Sequence, residues 1–214
     1  AFGIADLEQK AVAGAVPEDE HTNPTTMYGC NKLYGEHLGR YYAHHYRQLA
    51  QDRVEGLLDF RCLRYPGLIS PHTLPSGGTS DYIPEMLHAA AQGTPYACFV
   101  REDARIPFMV MPDAIDATLQ LAGADVSSLT RSVYNVASFS PSAGEVAELL
   151  TKHFPEAKIS FAPDVQRQAI VDSWPADVNT QAAEQDWGFL RGCSLEQAFE
   201  EVLIPEVRSR YASD

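Results

Sequence analysis

The chain has no run approaching the ~18 continuous apolar residues of a membrane-spanning helix. Its opening residues, Ala1 to Asp6, also lack the basic-then-apolar order of a signal peptide. Both absences predict a soluble protein of a cytoplasmic setting. Basic residues are scarce as well: 16 lysines and arginines stand against 29 aspartates and glutamates in 214 residues, a formal charge of −13. That balance argues against nucleic acid or an anionic membrane as a partner. The cysteines, Cys30, Cys62, Cys98 and Cys193, show none of the paired spacings of zinc sites or disulfide frameworks, so reduced thiols are expected. Among the histidines, only His44 and His45 adjoin, and neighbours on a helix diverge by about 100°, so no metal site is expected. Internal repeats and low-complexity segments are absent.

What is present alternates between two periodicities. Residues 7 to 24 are polar and mixed, broken by Pro17 and Pro24, and read as a loop. A long helix is predicted from Thr25 to Gln51, because Met27, Cys30, Tyr34, Leu38, Tyr41 and Tyr42 recur at threes and fours as one apolar stripe. Leu57 to Tyr65 then changes to period two, a half-buried strand that Pro66-Gly67 ends. Further helices are predicted over 81–92, closed by Gly93, from Pro112-Asp113 to Leu121, and from a Ser140-Pro141 start. Strands are predicted over 96–100, 108–111, 132–137 and 158–162. Ser194 and Gln197 form a capping box for a terminal helix interrupted near Pro205. Helices alternating with short strands predict an α/β fold.

Chemistry is concentrated in Tyr28 and Lys32. Four residues apart on a helix, a phenol and an ammonium share one face. A nearby cation favours the ionised form of a phenol, which lets it act as a base toward an alcohol. This spacing also recurs in proteins with no use for it, so only context gives it meaning.

The context is a set of ordered blocks: Arg61-Cys62-Leu63-Arg64-Tyr65-Pro66-Gly67-Leu68-Ile69-Ser70, Gly78-Thr79-Ser80-Asp81-Tyr82, Met111-Pro112-Asp113, Tyr134-Asn135-Val136-Ala137 and Asp172-Ser173-Trp174-Pro175, followed by Asp186-Trp187-Gly188-Phe189. With the Tyr-x-x-x-Lys helix these resemble the extended short-chain dehydrogenase/reductase superfamily. Within it they resemble the short-chain type of L-threonine 3-dehydrogenase, over nearly the whole chain. The resemblance implies oxidation of the threonine hydroxyl by NAD to give 2-amino-3-oxobutyrate. It makes Tyr28 the general base and Lys32 the cation that activates it and holds the nicotinamide ribose. Tyr65, Pro66, Gly67, Leu68 and Ile69 match the stretch lining the nicotinamide pocket. Thr79 and Ser80 match the substrate loop, with Ser80 where the family usually has a second threonine. Asp172 and Trp174 fall where the family closes over substrate, Asp172 facing the ammonium and Trp174 excluding water; a capped turn with a buried indole is the plainer reading of the same residues. Asn31 stands where the superfamily often has Ser or Thr, and Gln48 to Gly56 reads as a surface insertion.

The superfamily's glycine-rich pyrophosphate turn is not in these residues, and Gly77-Gly78 does not replace it. A chain that opens on Ala1 without that turn is expected to be the carboxy-terminal part of a longer enzyme, binding NAD poorly alone. The expected architecture is a truncated doubly wound, Rossmann-like parallel sheet lacking its amino-terminal strands, beside a smaller α/β substrate domain. Residues 1–70 with 107–139 would form the cofactor domain, 71–106 with 140–192 the substrate domain, and 193–214 a terminal helix. A homodimer through the Thr25–Gln51 helix is the expected assembly. Two alternatives stay open: a nucleotide-sugar epimerase or dehydratase of the same superfamily, and an inactive remnant or association module.

Overall fold

A computed structural model of the chain describes residues 1–54 and 56–212. Helix α1 (Leu7–Ala13), strand β1 (Ala15–Val16) and helix α2 (Met27–Arg40) come first, then strands β2 (Cys62–Arg64) and β3 (Gly67–Ile69). Helix α3 (Tyr82–Gln92), β4 (Tyr96–Cys98), β5 (Phe108–Val110), α4 (Met111–Gly123) and β6 (Val133–Asn135) follow. The chain continues through α5 (Ala143–His153), β7 (Ile159–Phe161), α6 (Val165–Asp172), β8 (Asp177–Val178) and α7 (Gln181–Trp187), and closes with α8 (Leu195–Gln197) and α9 (Ile204–Tyr211). The strands pair in parallel, β1 with β8, β2 with β6, β3 with β5, and β4 with β7, and Phe108 of β5 also makes an antiparallel bridge to Phe139. Parallel neighbours require crossover connections, and the intervening helices supply them. The α/β class expected from the alternation is the class observed.

Local chemistry explains where the helices begin and end. In α3, Ile83, Met86, Leu87 and Ala90 are buried on one side, and Gly93 closes the helix at φ 67°, where a side chain would be strained. Pro112 sits in the first turn of α4, whose Ala114, Ala117 and Leu121 face the core. The cap of α5 is Ser142 rather than Ser140: the Ser142 hydroxyl accepts from the Glu145 N–H at 3.1 Å, and the Glu145 carboxylate answers at the Ser142 N–H at 2.7 Å. Ser140 instead donates to Asp177 at 2.7 Å. The capping box at Ser194 and Gln197 forms as read, and Pro205 falls in the first turn of α9.

Three further expectations need correction. Residues 7–24 are not all loop: Asp6 caps α1 by accepting from Gln9 N–H at 2.8 Å, and Ala15 and Val16 pair with Asp177 and Val178. A strand with a partner so distant in sequence leaves little local pattern. The long helix is also shorter than its stripe. Its α-helical part ends at Arg40, a π-turn covers Tyr41–His45, and Tyr46 is extended before Arg47 turns at φ 51°. Likewise the 57–65 strand contracts to Cys62–Arg64, the part that β6 pairs.

Two apolar clusters hold the fold. One joins β2, β3, β5, α4 and β6 through Leu63, Leu68, Met109, Ala117, Leu121 and Tyr134, and takes in Ala183 and Phe189 around α7. The other packs α3, β4, α5 and the terminal helices around Tyr82, Leu87, Leu150, Phe199 and Leu203. A fully buried Leu, Phe or Met among these contributes about 1.5–3 kcal/mol. Tyr82 meets the Phe99 and Phe108 rings edge-on at 6.1 and 5.6 Å.

Candidate active site

The two clusters flank a cavity of about 350 Å³, and α2 brings its polar face to it. Thr26 caps that helix, accepting from Gly29 N–H at 3.1 Å, so Tyr28 stands in the first turn with Lys32 one turn on. Both line the cavity. The Lys32 ammonium lies over the Tyr28 ring, 5.2 Å from its centroid, and the phenol is 71% exposed. An exposed cation–π contact of this kind contributes about 0.5–1 kcal/mol and keeps both groups on one side of the helix.

One further turn along the same face is Glu36, a cavity residue that the Tyr28–Lys32 spacing could have revealed had the face been extended. Its carboxylate is buried and receives Arg64 Nε and Nη2, each at 2.8 Å. Arg64 Nη1 donates to the Glu18 carbonyl at 2.7 Å, and the Arg64 guanidinium lies 4.8 Å from the Phe2 ring centroid. This buried fork ties α2 to β2. Arg64 also lies in the block quoted for the nicotinamide stretch, directly before Tyr65, yet only the fold brings it to Glu36.

The opposite wall is Cys62 to Gly67, so Tyr65, Pro66 and Gly67 all line the cavity. Burial raises the Cys62 thiol above its usual value. The Tyr65 hydroxyl itself turns to Thr118 on α4. Gly67 has a structural reason of its own, since a Cβ there would come within 2.4 Å of the Phe108 ring on the paired strand. Leu68 and Ile69 lie outside the cavity lining: Leu68 packs on one apolar cluster and Ile69 is fully buried in the other. Alternation along β3 sends successive side chains to opposite faces.

The remaining walls come from Ser80, Ile106 and Pro107, and from Trp174 and Pro175. Trp174 packs against the larger cluster. Thr79 is half-buried beside Ser80 but outside the lining. Asp172 is also outside it: Arg101 holds its carboxylate at 2.8 and 3.1 Å, and Gln168 Nε2 donates to it at 2.8 Å. A carboxylate so occupied faces a guanidinium of its own chain. The structure therefore brings Tyr28, Lys32, Tyr65, Pro66, Gly67, Ser80 and Trp174 to one cavity and leaves Leu68, Ile69, Thr79 and Asp172 behind its walls.

A parallel α/β fold with a phenol and an ammonium on one helix face, opening beside a Pro-Gly strand start, defines a Rossmann-like class. The chain belongs to the NAD dependent epimerase/dehydratase family, whose model matches residues 9–137. Among its relatives, the mitochondrial L-threonine 3-dehydrogenase of Bos taurus is 39% identical over 166 residues, covering 78% of this chain and 42% of that protein. An uncharacterized epimerase/dehydratase of Staphylococcus haemolyticus is 37% identical over 174 residues, covering 81% of this chain and 52% of that one. The chain thus spans about half the length of the curated relatives it matches. The apo form of a GalE-like L-threonine dehydrogenase from Cupriavidus necator superposes with a TM-score of 0.84 at 37% identity, covering 96% of this chain and 69% of that one.

Proposed function

We propose that this protein acts in the NAD-dependent oxidation of the L-threonine hydroxyl to 2-amino-3-oxobutyrate. The observation that carries the reading is the cavity shared by Tyr28 and Lys32 on one side and by Pro66, Gly67, Ser80 and Trp174 on the others. At about 350 Å³ it suits the nicotinamide end of a dinucleotide beside a small amino acid. The donor set fits that end: an ammonium for ribose hydroxyls and backbone at Pro66-Gly67 for a carboxamide. Bound NAD would supply the hydride acceptor. Tyr28 takes the hydroxyl proton, and Lys32 orients the ribose. Tyr65 to Ile69 shape the nicotinamide wall, Leu68 and Ile69 from behind as packing. Ser80 receives the carboxylate with Thr79 supporting it from behind the wall, Trp174 excludes water, and Asp172 acts through Arg101 as support rather than as an ammonium partner.

We assign 1–70 with 107–139 to the cofactor side and 71–106 with 140–180 to the substrate side, moving α7 to the former because Ala183 packs there. The exposed stripe of α2 is our choice for a homodimer seam. With all four cysteines free, we favour a reducing, cytoplasmic compartment. No helix among the described residues is long and apolar enough to cross a membrane.

A nucleotide-sugar reading within the same family is disfavoured by charge. The side-chain cations of the cavity are Lys32 and Arg64, and Arg64 is committed to Glu36, which leaves little for a diphosphate. NADH formation with L-threonine by the full-length protein, set against its conversion of UDP-sugars, tests the choice. Threonine oxidation without UDP-sugar conversion is expected; the reverse pattern, or silence with threonine, overturns it. Tyr28→Phe should lower kcat by about a hundredfold or more while the NAD dissociation constant stays within about twofold.

A further inference from the structure

Helix α6 is attached to the cavity at both ends. Near its start, where Asp164 accepts from the N–H groups of Gln166 and Arg167 at 3.0 and 2.9 Å, Arg167 reaches out to the loop before α3. Its Nη2 donates to the carbonyl oxygens of Gly77 at 3.2 Å and Gly78 at 2.7 Å. The same guanidinium lies over Phe99, its carbon 3.1 Å from the ring centroid. Two residues beyond Gly78 is Ser80, a cavity wall. Past the other end of α6 run Ser173, Trp174 and Pro175, the last two forming another wall.

The helix between these attachments is itself fixed. Arg101 grips Asp172, and Gln168 donates to Asp172 while accepting from the Arg101 N–H at 2.6 Å. Lys10 Nζ donates to the Val171 carbonyl at 2.9 Å, and Ile4 N–H to the Ser173 carbonyl at 2.8 Å. Eight helical residues span about 12 Å, so a body fixed to its surroundings joins the Ser80 loop to the Trp174 wall. The loop needs such a hold, because Gly77 sits at φ 88° and glycine brings the largest backbone entropy to be restrained. Arginine can offer one planar group to two carbonyls while stacking on a ring; lysine offers a point charge.

We infer that Arg167 is a positioning residue for substrate binding, which sets the Ser80 loop in register with Trp174 through α6. The inference rests on the threonine reading of the cavity. Because Arg167 touches the loop and not the Tyr28–Lys32 face, its loss is expected to weaken substrate binding and leave the chemical step alone.

The test compares Arg167→Met and Arg167→Lys with the wild-type protein. For Arg167→Met, KM for L-threonine should rise about tenfold, the size of one charge-assisted hydrogen bond, with kcat within about twofold and the NAD dissociation constant unchanged. Arg167→Lys should fall between. A fall in kcat at constant KM, a loss of NAD affinity, or equal behaviour of the two variants overturns the inference. If the wild type does not oxidise threonine, the functional reading fails by itself. Amide exchange over residues 76–82 then decides the positioning claim: Arg167→Met must accelerate it while the amides of α5 stay protected, and unchanged loop exchange overturns it.

Discussion

Lys10 is a buried base whose ammonium loses water and gains one carbonyl in return. Burial is the main reason its pKa falls from 10.5 to about 8, with Asp172 opposing and Arg101 assisting the fall. The sign follows from proton counting. Between pH about 8 and 10.5 the unfolded chain binds more protons than the folded one, so stability rises with pH there, and below pH 8 the full cost is present. Lys10→Met should therefore gain stability relative to wild type at pH 7, a gain that shrinks by up to about 3 kcal/mol by pH 10.5. Urea unfolding across that range checks it, and a difference that does not vary with pH would contradict it. At this scale the sequence was legible where residue type and spacing coincide, as in Tyr28 and Lys32. It was silent on Lys10, which sits in a stretch read as loop, because burial depends on a helix three-quarters of the chain away.

Elements show where pairing overrides pattern. Strand β2 is shorter than its alternation because a strand ends where its partner ends, and α2 is shorter than its stripe because the chain passes into the π-turn of Tyr41–His45. The Glu36–Arg64 fork is the tie between those two elements, with side chains only 4% and 7% exposed. Breaking such a pair leaves a buried charge uncompensated. Glu36→Gln should cost about 3–5 kcal/mol, read as a lower urea midpoint at an unchanged slope. Caps were legible because they are local: Ser194, Gly93 and Pro112 act within one turn of themselves. Ser142 displaced Ser140 as a cap because Asp177, from the distant β8, takes the Ser140 hydroxyl.

The whole molecule leaves one face unused. Met27, Tyr34, Leu38, Tyr41 and Tyr42 form the apolar stripe of α2 and its π-turn, and all are exposed, Met27 by 76% and Tyr34 by 65%. On the proposed homodimer, this stripe is the surface that a second copy would cover. On the dimer reading, sedimentation of the wild type should give a dimer, and Tyr34→Ser with Leu38→Asp a folded monomer; a monomeric wild type would remove the seam. The sequence by itself determined the α/β class, the helix ends at Gly93, Pro112 and Ser194, and the Tyr28–Lys32 face, because these depend on residues within a few positions of each other. Only the tertiary structure decided that Arg64 meets Glu36 beside that face and that Asp172 answers to Arg101 instead of the cavity. It likewise decided that Gly67 makes room for Phe108. These are contacts between residues tens of positions apart, and their energies exist only once parallel strands have brought distant segments into register.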